Sequence, residues 1–403
     1  MRSVAMISLH TSPLAQPGVG DSGGMNVFVR ELGGGLARAG VGVRCYVRRT
    51  DPDDPDEIQV EPGFDLINVT AGPLSLAKED LPSVIDQFAD RVGNDIADHS
   101  EIGVVHANYW LSAAAGHQIK HRLDLPLVTT FHTLARVKSR TGDAEPDQRA
   151  FAEASVVGCS DVITAATASE ALELVDLYGA DPERIELIAP GVDRAFFSPG
   201  DRSGARWATG LPDEPTILFV GRIQPLKGLD LAIEALGHMA SPCRLVVVGG
   251  SSGVDGAAEL ARVRAIAKCM AVEDHITWID PQPHHLLSSY YRSADVVVVP
   301  SRSESFGLVA LEAAACGVPV VAADVGGLSH VVADGYSGLL VAERSAESFA
   351  GALDRLLNSP WIAGRMGAQA ARRAERFTWS AAAARLRRCY GDLSTRSLVE
   401  CDA

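Results

Sequence analysis

Two carboxylates and two cations stand out in this chain because of what surrounds them. Glu304 and Glu312 lie eight positions apart in "SRSESFGLVALEAAACGVPVVAADVGG", on either side of the apolar run 306–311. A helix beginning near Ser305 would put Glu304 at its N-terminus, where the dipole favours a carboxylate. Glu312 would then stand about 80° further round, at ~3.6 residues per turn. A cap and a solvated helix residue would account for Glu304. They do not account for a Glu between Leu311 and Ala313, because a carboxylate buried there needs donors, such as the two hydroxyls of a ribose. The cations are Arg222 and Lys227 in "LFVGRIQPLKG", five positions apart just after a buried strand. Two cations at a strand's carboxyl end suit a diphosphate whose charge grows as its bond to a leaving group breaks. Two solvated loop residues are the alternative.

A third feature is "ISLHTSPLAQPGVGDSGGMNVFVREL". Met25, Phe28, Val29, Leu32 and Leu36 recur at helical spacing, so a helix begins near Gly23 or Gly24, with Asp21 and Ser22 as suitable N-caps. A strand, a glycine-rich loop and a helix N-terminus together present free N–H groups to an anion. Gly33, Gly34 and Gly35 run against that helix, at about 1 kcal/mol each relative to Ala.

Ten short apolar runs supply the frame for these residues. They fall into two series, at 4–10, 41–47, 104–107, 127–132 and 162–165, then at 216–221, 244–249, 276–279, 296–300 and 319–323. Unbroken apolar runs separated by helix-length segments indicate buried parallel strands in βα units. The fold class is therefore α/β, with two doubly wound Rossmann-like domains facing across a cleft and ligands beyond the carboxyl ends of the strands. The Pro- and Gly-rich segment 189–215 reads as the linker between them. The expected limits are 1–196 for an N-terminal domain and 197–376 for a C-terminal one, with a C-terminal helix, 377–403, completing the first.

Composition restricts the partners. The 403 residues carry a net charge of −15, which argues against nucleic acid or an anionic membrane surface. An anionic small molecule must then be held by a local cluster of Arg, Lys and backbone N–H groups. Seven scattered cysteines without a CxxC pair argue against a disulfide frame or a zinc site and for a reducing compartment. The short apolar opening, "MRSVAMISLH", is unlike a signal peptide, and no run approaches the length of a membrane span. A cytoplasmic protein is expected.

Together these motifs resemble the retaining GT-B glycosyltransferases of family 4. Their mark is Glu-x7-Glu after a Pro-Ser strand end, present here in "PSRSESFGLVALEAAACGVPV"; "FVGRIQPLKG" is similar to their diphosphate loop and "GDSGGMNVFV" to their N-terminal glycine loop. The three occur in the family's order over essentially the whole chain. Further stretches, "AGPLSLAKEDLP", "HANYWLS" and "FHTLARVKS", resemble one branch of the family. That branch transfers N-acetylglucosamine from UDP-GlcNAc to 1D-myo-inositol 3-phosphate with retention, releasing UDP, at the first step of mycothiol biosynthesis.

The resemblance assigns the N-terminal domain to the acceptor and the C-terminal one to the nucleotide sugar. By it, His10, Asp21, Ser22, Gly23, Gly24, Met25, Asn26, Lys78, Tyr109, Thr133 and Arg149 would hold the inositol phosphate. Gln16, Pro17, Gly24, Arg222, Lys227, Gln282, Glu304 and Glu312 would hold the donor. Arg222, Lys227, Glu304 and His132 would serve catalysis, His132 by a contact near the transferred sugar; a core histidine is the alternative. Lys78 and Arg149 have bland readings too, as a surface lysine and as an i,i+4 partner of Glu153. The resemblance requires no metal for catalysis. It implies a peripheral Mg²⁺ on the main-chain oxygens of Tyr291, Arg292, Ala294 and Val318, and a homodimer. The chain departs from the family pattern at Ala113, at Gly33–Gly35, at Gln282 and in the single Arg of "PDQRAF".

Retention suggests a carboxylate nucleophile, yet both glutamates are assigned to the donor, which leaves the front-face substitution of the family. Three competitors remain. Another family 4 transferase would differ in its acceptor, a sugar phosphate or a lipid. A non-catalytic nucleotide-sugar-binding protein would be expected to lack Glu304, Arg222 or Lys227. A dehydrogenase needs a tighter glycine fingerprint than "GVGDSGG" after its first strand.

Overall fold

The computed structural model describes residues 3–140, 142, 145–253 and 256–401. The ends of the expected domain limits, 1–2 and 402–403, lie outside the described residues. The chain divides into two compact α/β units, one of 1–15, 25–191 and 379–403, the other of 16–24 and 192–378. The loop 16–24 groups with the second unit although it lies inside the first in sequence.

The first unit is built on an eight-stranded sheet: β1 (Ser3–Ile7), β2 (Gly42–Arg48), β3 (Glu57–Glu61), β4 (Phe64–Val69), β5 (Ile102–Asn108), β6 (Leu127–Thr130), β7 (Val162–Ala165) and β8 (Ile185–Leu187). Their order is β3-β4-β2-β1-β5-β6-β7-β8, parallel except for the β3–β4 hairpin. The strand sequence reverses direction between β1 and β5, so the switch point lies beyond Ile7 and Asn108. The last helix, Trp379–Leu393, is shorter than the expected 377–403 and belongs to this unit. Tyr390 O–H meets His106 Nδ1 at 2.6 Å, and Trp379 packs edge-on against Phe28.

The glycine triplet has a packing reason in this unit. A Cβ on Gly33 would come 2.7 Å from Phe64, on Gly34 2.4 Å from Glu61, and on Gly35 3.2 Å from the Trp379 carbonyl. The helix Gly24–Arg38 can approach β4 and the last helix only where side chains are missing.

The second unit holds β9 (Thr216–Val220), β10 (Arg244–Val248), β11 (Ile276–Ile279), β12 (Val296–Val299), β13 (Val320–Ala323) and β14 (Gly338–Val341). The sheet is parallel in the order β11-β10-β9-β12-β13-β14, the 3-2-1-4-5-6 arrangement of dinucleotide-binding folds. Its switch point lies between β9 and β12, beyond Val220 and Val299. All four valines of β12 are buried, at roughly 1.5–3 kcal/mol each.

Two readings from sequence need correction here. Most of the segment 189–215 is folded into the second unit: Phe197 is fully buried, and Arg206 in the helix Arg202–Thr209 binds Asp295 at 2.8 Å. The cysteines are not all apart, since the sulfurs of Cys159 and Cys401, 242 positions distant in sequence, lie against each other. Among the described residues no helix is long and apolar enough to cross a membrane.

Candidate functional site

In the second unit the chemistry gathers at the switch point. Arg222 and Lys227 follow β9, and Glu304 follows β12. Gly228 has φ +71°, and a Cβ there would lie 2.2 Å from the Pro300 carbonyl, so this position closes the two loops together. Arg302 N–H donates to the Leu226 carbonyl across the same seam at 2.9 Å. The result is a charged contact, Lys227 Nζ to Glu304 Oε2 at 2.8 Å, with the side chains 25% and 18% exposed. Ser301 Oγ adds a longer bond to the same carboxylate, 3.4 Å. Glu304 does not sit at the helix N-terminus as expected: the helix is Leu308–Ala315, capped by Gly307 at φ +97°. The carboxylate is held in the preceding loop, and the Gly326-Gly327 pair packs on that loop. Gly327 N–H donates to the Glu304 carbonyl at 2.8 Å, and a Cβ on Gly326 would be 2.1 Å from that oxygen.

Glu312 is 5% exposed and does have donors. They come from the protein: His284 Nε2 at 2.6 Å on one oxygen and Tyr291 O–H at 2.8 Å on the other. Burial, and then the adjoining Glu312 charge, push the Tyr291 phenol well above its ordinary pKa, so it stays a donor. Each carboxylate oxygen has a second lone pair, and Glu312 keeps accepting capacity beyond these two bonds. Sequence reasoning missed His284 altogether. Its signal is faint, a His within "PQPHHL" that only the fold places beside Glu312.

The loop Gln16–Gly24 lies against the same unit. Gln16 Nε2 donates to the Pro281 carbonyl at 2.9 Å, Arg222 to the Asp21 carbonyl at 3.4 Å, and Ser252 Oγ to the Gly20 carbonyl. A Cβ on Gly23 would come 3.3 Å from Arg222, and one on Gly24 3.2 Å from Leu308. Asp21, Ser22 and Gly23, which the resemblance gives to the acceptor, and Gly24, which it gives to both substrates, are thus grouped with Arg222, as are Gln16 and Pro17. Gln282 turns back on its own chain, to the Asp280 carbonyl at 2.9 Å.

In the first unit the corresponding switch point is lined by aromatic and cationic groups. Tyr109, capping the helix Trp110–Leu123 at φ +76°, has its ring 4.4 Å from that of His10. Arg149 and Lys78 lie over the same Tyr109 ring, at 5.0 and 5.5 Å. Arg149 is 3% exposed and well tied: to Glu153 and Glu145 at 2.8 Å each, and to the Thr133 carbonyl and hydroxyl at 2.9 and 3.0 Å. The i,i+4 pair with Glu153 exists, and it orients a guanidinium that also meets Thr133 and Tyr109. Burial opposes the Arg149 charge; Tyr109, Glu153 and Glu145 outweigh it and hold the pKa above its usual value. Asn26 fixes the loop after β1, donating to Thr11 Oγ1 and the Ser12 carbonyl at 2.6 Å each; Met25 packs on the core beside it.

His132 follows β6 with φ +62°, a conformation that costs of order 1–3 kcal/mol and gathers at functional positions. Its Nε2 is 3.0 Å from Asn108 Oδ1, and its ring stands edge-on to Phe28. Burial, helped by the charge of His106, lowers its pKa to about 3, so the ring is neutral near pH 7 and ill-suited to hold a proton. Asn108 is a second residue that sequence reasoning missed. Its Nδ2 is buried with no hydrogen-bond partner among the described residues, an amide donor at the end of β5. Of the four residues expected around a magnesium ion, Tyr291 and Arg292 close the helix Leu287–Ser293 and Ala294 caps it; Val318 precedes β13. Carbonyls at a helix end are oxygen donors of the type Mg²⁺ accepts.

Comparison with known proteins finds relatives along nearly the whole chain. Residues 22–196 match the model of Glycosyltransferase Family 4, and residues 201–373 match that of Glycosyl transferases group 1. The D-inositol 3-phosphate glycosyltransferase of Xylanimonas cellulosilytica is 45% identical over 407 residues, covering 98% of this chain and 97% of that protein. The one from Segniliparus rotundus is 47% identical over 397 residues, covering 95% and 87%. Among solved structures, sucrose-phosphate synthase from Thermosynechococcus elongatus superposes with a TM-score of 0.92 at 33% identity, over 98% of this chain and 100% of that one. A glycosyltransferase involved in lipopolysaccharide biosynthesis has a TM-score of 0.72 at 20% identity over 98% and 100%, a likeness of fold alone.

Proposed function

The chain belongs to glycosyltransferase family 4, and from that premise we propose that it transfers N-acetylglucosamine from UDP-GlcNAc to 1D-myo-inositol 3-phosphate with retention, releasing UDP. This would be the first step of mycothiol biosynthesis. The observation that carries the acceptor side is the pair of cations over Tyr109 at the first switch point. Arg149, oriented by Glu145 and Glu153, and Lys78 together bring to one ring the local positive groups that a phosphomonoester needs in so acidic a protein. Thr133, His10 and the Asn108 amide offer further polar groups to a polyol.

On the donor side, Arg222, Lys227 and the N–H groups of Gly23 and Gly24 face the diphosphate and stabilise the charge it gains as the glycosidic bond breaks. Lys227 is oriented for this by Glu304, whose second oxygen receives hydroxyls of the sugar. Glu312, held by His284 and Tyr291, receives the ribose. The acceptor hydroxyl attacks on the face that the diphosphate leaves, and the departing phosphate takes its proton. Neutral His132 contributes a polar contact to the sugar and no proton transfer. The carbonyls of Tyr291, Arg292, Ala294 and Val318 would hold a Mg²⁺ ion that steadies this helix end, and none of these steps would pass through it. A homodimer is part of the same reading.

A second reading has a specific basis in the 33% identity to sucrose-phosphate synthase: a different sugar phosphate as acceptor. UDP release from UDP-GlcNAc is measured with 1D-myo-inositol 3-phosphate, inositol, fructose 6-phosphate or no acceptor. Dependence on inositol 3-phosphate is expected, with the acceptor KM rising about 10- to 100-fold in Lys78→Ala, the worth of one bond to a charged group. Release that depends on fructose 6-phosphate instead would favour the second reading. Release indifferent to every phosphorylated acceptor would remove both.

A further inference from the structure

Away from these residues, four side chains of the first unit converge on one point. His117 and His121 lie at i and i+4 on the helix Trp110–Leu123, so they share a face. Cys159 is the last residue of the helix Asp147–Cys159, and Cys401 lies near the end of the chain. One ligand atom from each falls within 4.8 Å of all the others. His121 Nε2 is 3.0 Å from His117 Nε2, 3.3 Å from Cys159 Sγ and 3.4 Å from Cys401 Sγ; Cys401 Sγ is 4.0 Å from His117 Nε2. Zinc bonds of about 2.0–2.3 Å in a tetrahedron set ligand atoms roughly 3.3–3.8 Å apart. The four separations that involve an imidazole nitrogen, 3.0–4.0 Å, bracket that range, while the two sulfurs lie in direct contact and would have to part to admit an ion.

The approach of Cys401 is built into the fold. Val399 N–H donates to Asp161 Oδ1 at 2.7 Å, while Asp161 Oδ2 takes bonds from Lys120 Nζ and Leu127 N–H, also at 2.7 Å. Lys120 Nζ reaches on to the Cys159 carbonyl at 2.9 Å. One buried ion pair thus holds the tail, the start of β6 and the end of the Cys159 helix together. A disulfide between the two sulfurs would give the imidazoles no task, and the other five cysteines are free thiols, as in a reducing compartment.

We propose that His117, His121, Cys159 and Cys401 form a Cys2His2 site for one divalent, borderline-soft cation, Zn²⁺ foremost, which ties the C-terminal tail to the two helices. Two thiolates and two neutral imidazoles fill a tetrahedral shell with no open position, so the role is structural. Metal binding then adds to the stability of the folded first unit.

The test uses the full chain without a polyhistidine tag, purified under reducing conditions with zinc present. Bound metal, the absorption of the Co²⁺-substituted protein, and the thiols titrated after denaturation in chelator are measured. One zinc per chain, a thiolate-to-cobalt charge-transfer band of tetrahedral type, and all seven thiols are expected. In Cys401→Ser and His117→Ala the stoichiometry should fall toward zero. Seven thiols with no retained metal would overturn the proposal. So would five thiols, which would mean that the sulfurs are joined as a disulfide. The wild-type spectrum and thiol count decide the matter even if a variant fails to fold.

Discussion

Replacing Lys227 by Ala separates charge stabilisation in the transition state from simple donor binding. Lys227 is one of two cations at the second switch point and is aimed by Glu304 at 2.8 Å. At an effective dielectric of ~20 such a pair attracts by roughly 6 kcal/mol before desolvation, most of which burial offsets. After the substitution Glu304 retains the 3.4 Å bond from Ser301, and the net loss of stability should be about 1–2 kcal/mol. That corresponds to a melting temperature lower by about 2–8 °C for a unit of this size. The catalytic loss should be much larger. Removing one preorganised group that faces developing charge costs about 10²–10³ in kcat, with kcat and kcat/KM falling together. Lys227→Arg, which keeps the charge, should recover part of it. Steady-state UDP release across donor concentrations, beside thermal unfolding, gives both numbers. A raised donor KM with unchanged kcat would refute the assignment, since the lysine would then bind ground state and transition state alike.

Three further outcomes are expected. Glu312→Ala leaves the fully buried Tyr291 hydroxyl without its acceptor and removes one bond of His284, and should cost about 2–4 kcal/mol; Glu304→Ala, which removes the same pair as Lys227→Ala, should cost about 1–2 kcal/mol yet lose more activity. Denaturant unfolding with the activity assay checks the contrast, and equal destabilisation would contradict it. In the glycine triplet, Gly33→Ala should destabilise by about 1–2 kcal/mol, because the methyl meets the buried Phe64 ring at 2.7 Å and overpacking outweighs the helix-propensity gain. Gly34→Ala should be near neutral, since it displaces only the mobile end of Glu61. Stability should also depend on pH. Burial lowers His106 and His132 to about 3 from 6.5, so the unfolded chain binds their protons first. Their contribution is complete above pH 6.5 and falls below it by up to about 1.4 kcal/mol per unit for each. Burial raises Glu170 to about 7 from 4.5, and its contribution, complete below pH 4.5, fades as pH rises to 7. The two histidines outweigh the single opposing glutamate, so the melting temperature should fall between pH 6.5 and 4, while Glu170→Gln should stabilise at pH 8 and not at pH 4. A flat profile would mean that these groups are less buried than described.

Most of the framework was legible in the sequence because parallel strands buried on both faces are continuous apolar runs. All ten runs are strands, with ends moved by a few residues. Of the four strands missed, β3 and β8 are edge strands with exposed residues, β4 alternates polar and apolar residues, and β14 is only four residues long. The cations after β9 and the Glu-x7-Glu spacing could be read because a buried strand's carboxyl end anchors the loop that leaves it. The start of the helix after Glu304 was misplaced because Gly307 delays it at φ +97°, a conformation that the apolar pattern does not encode.

By itself, then, the sequence determined the class of fold, the order of the strands along the chain and the residues that stand at their carboxyl ends, since each follows from periodicity and local chemistry. Only the tertiary structure decided partnerships. It gave Glu312 the donors His284 and Tyr291, set Arg149 over the Tyr109 ring, made His132 neutral by burial, and brought Cys401 to Cys159, His117 and His121. Contacts between residues tens or hundreds of positions apart arise from the packing of elements in space, and no local spacing records them.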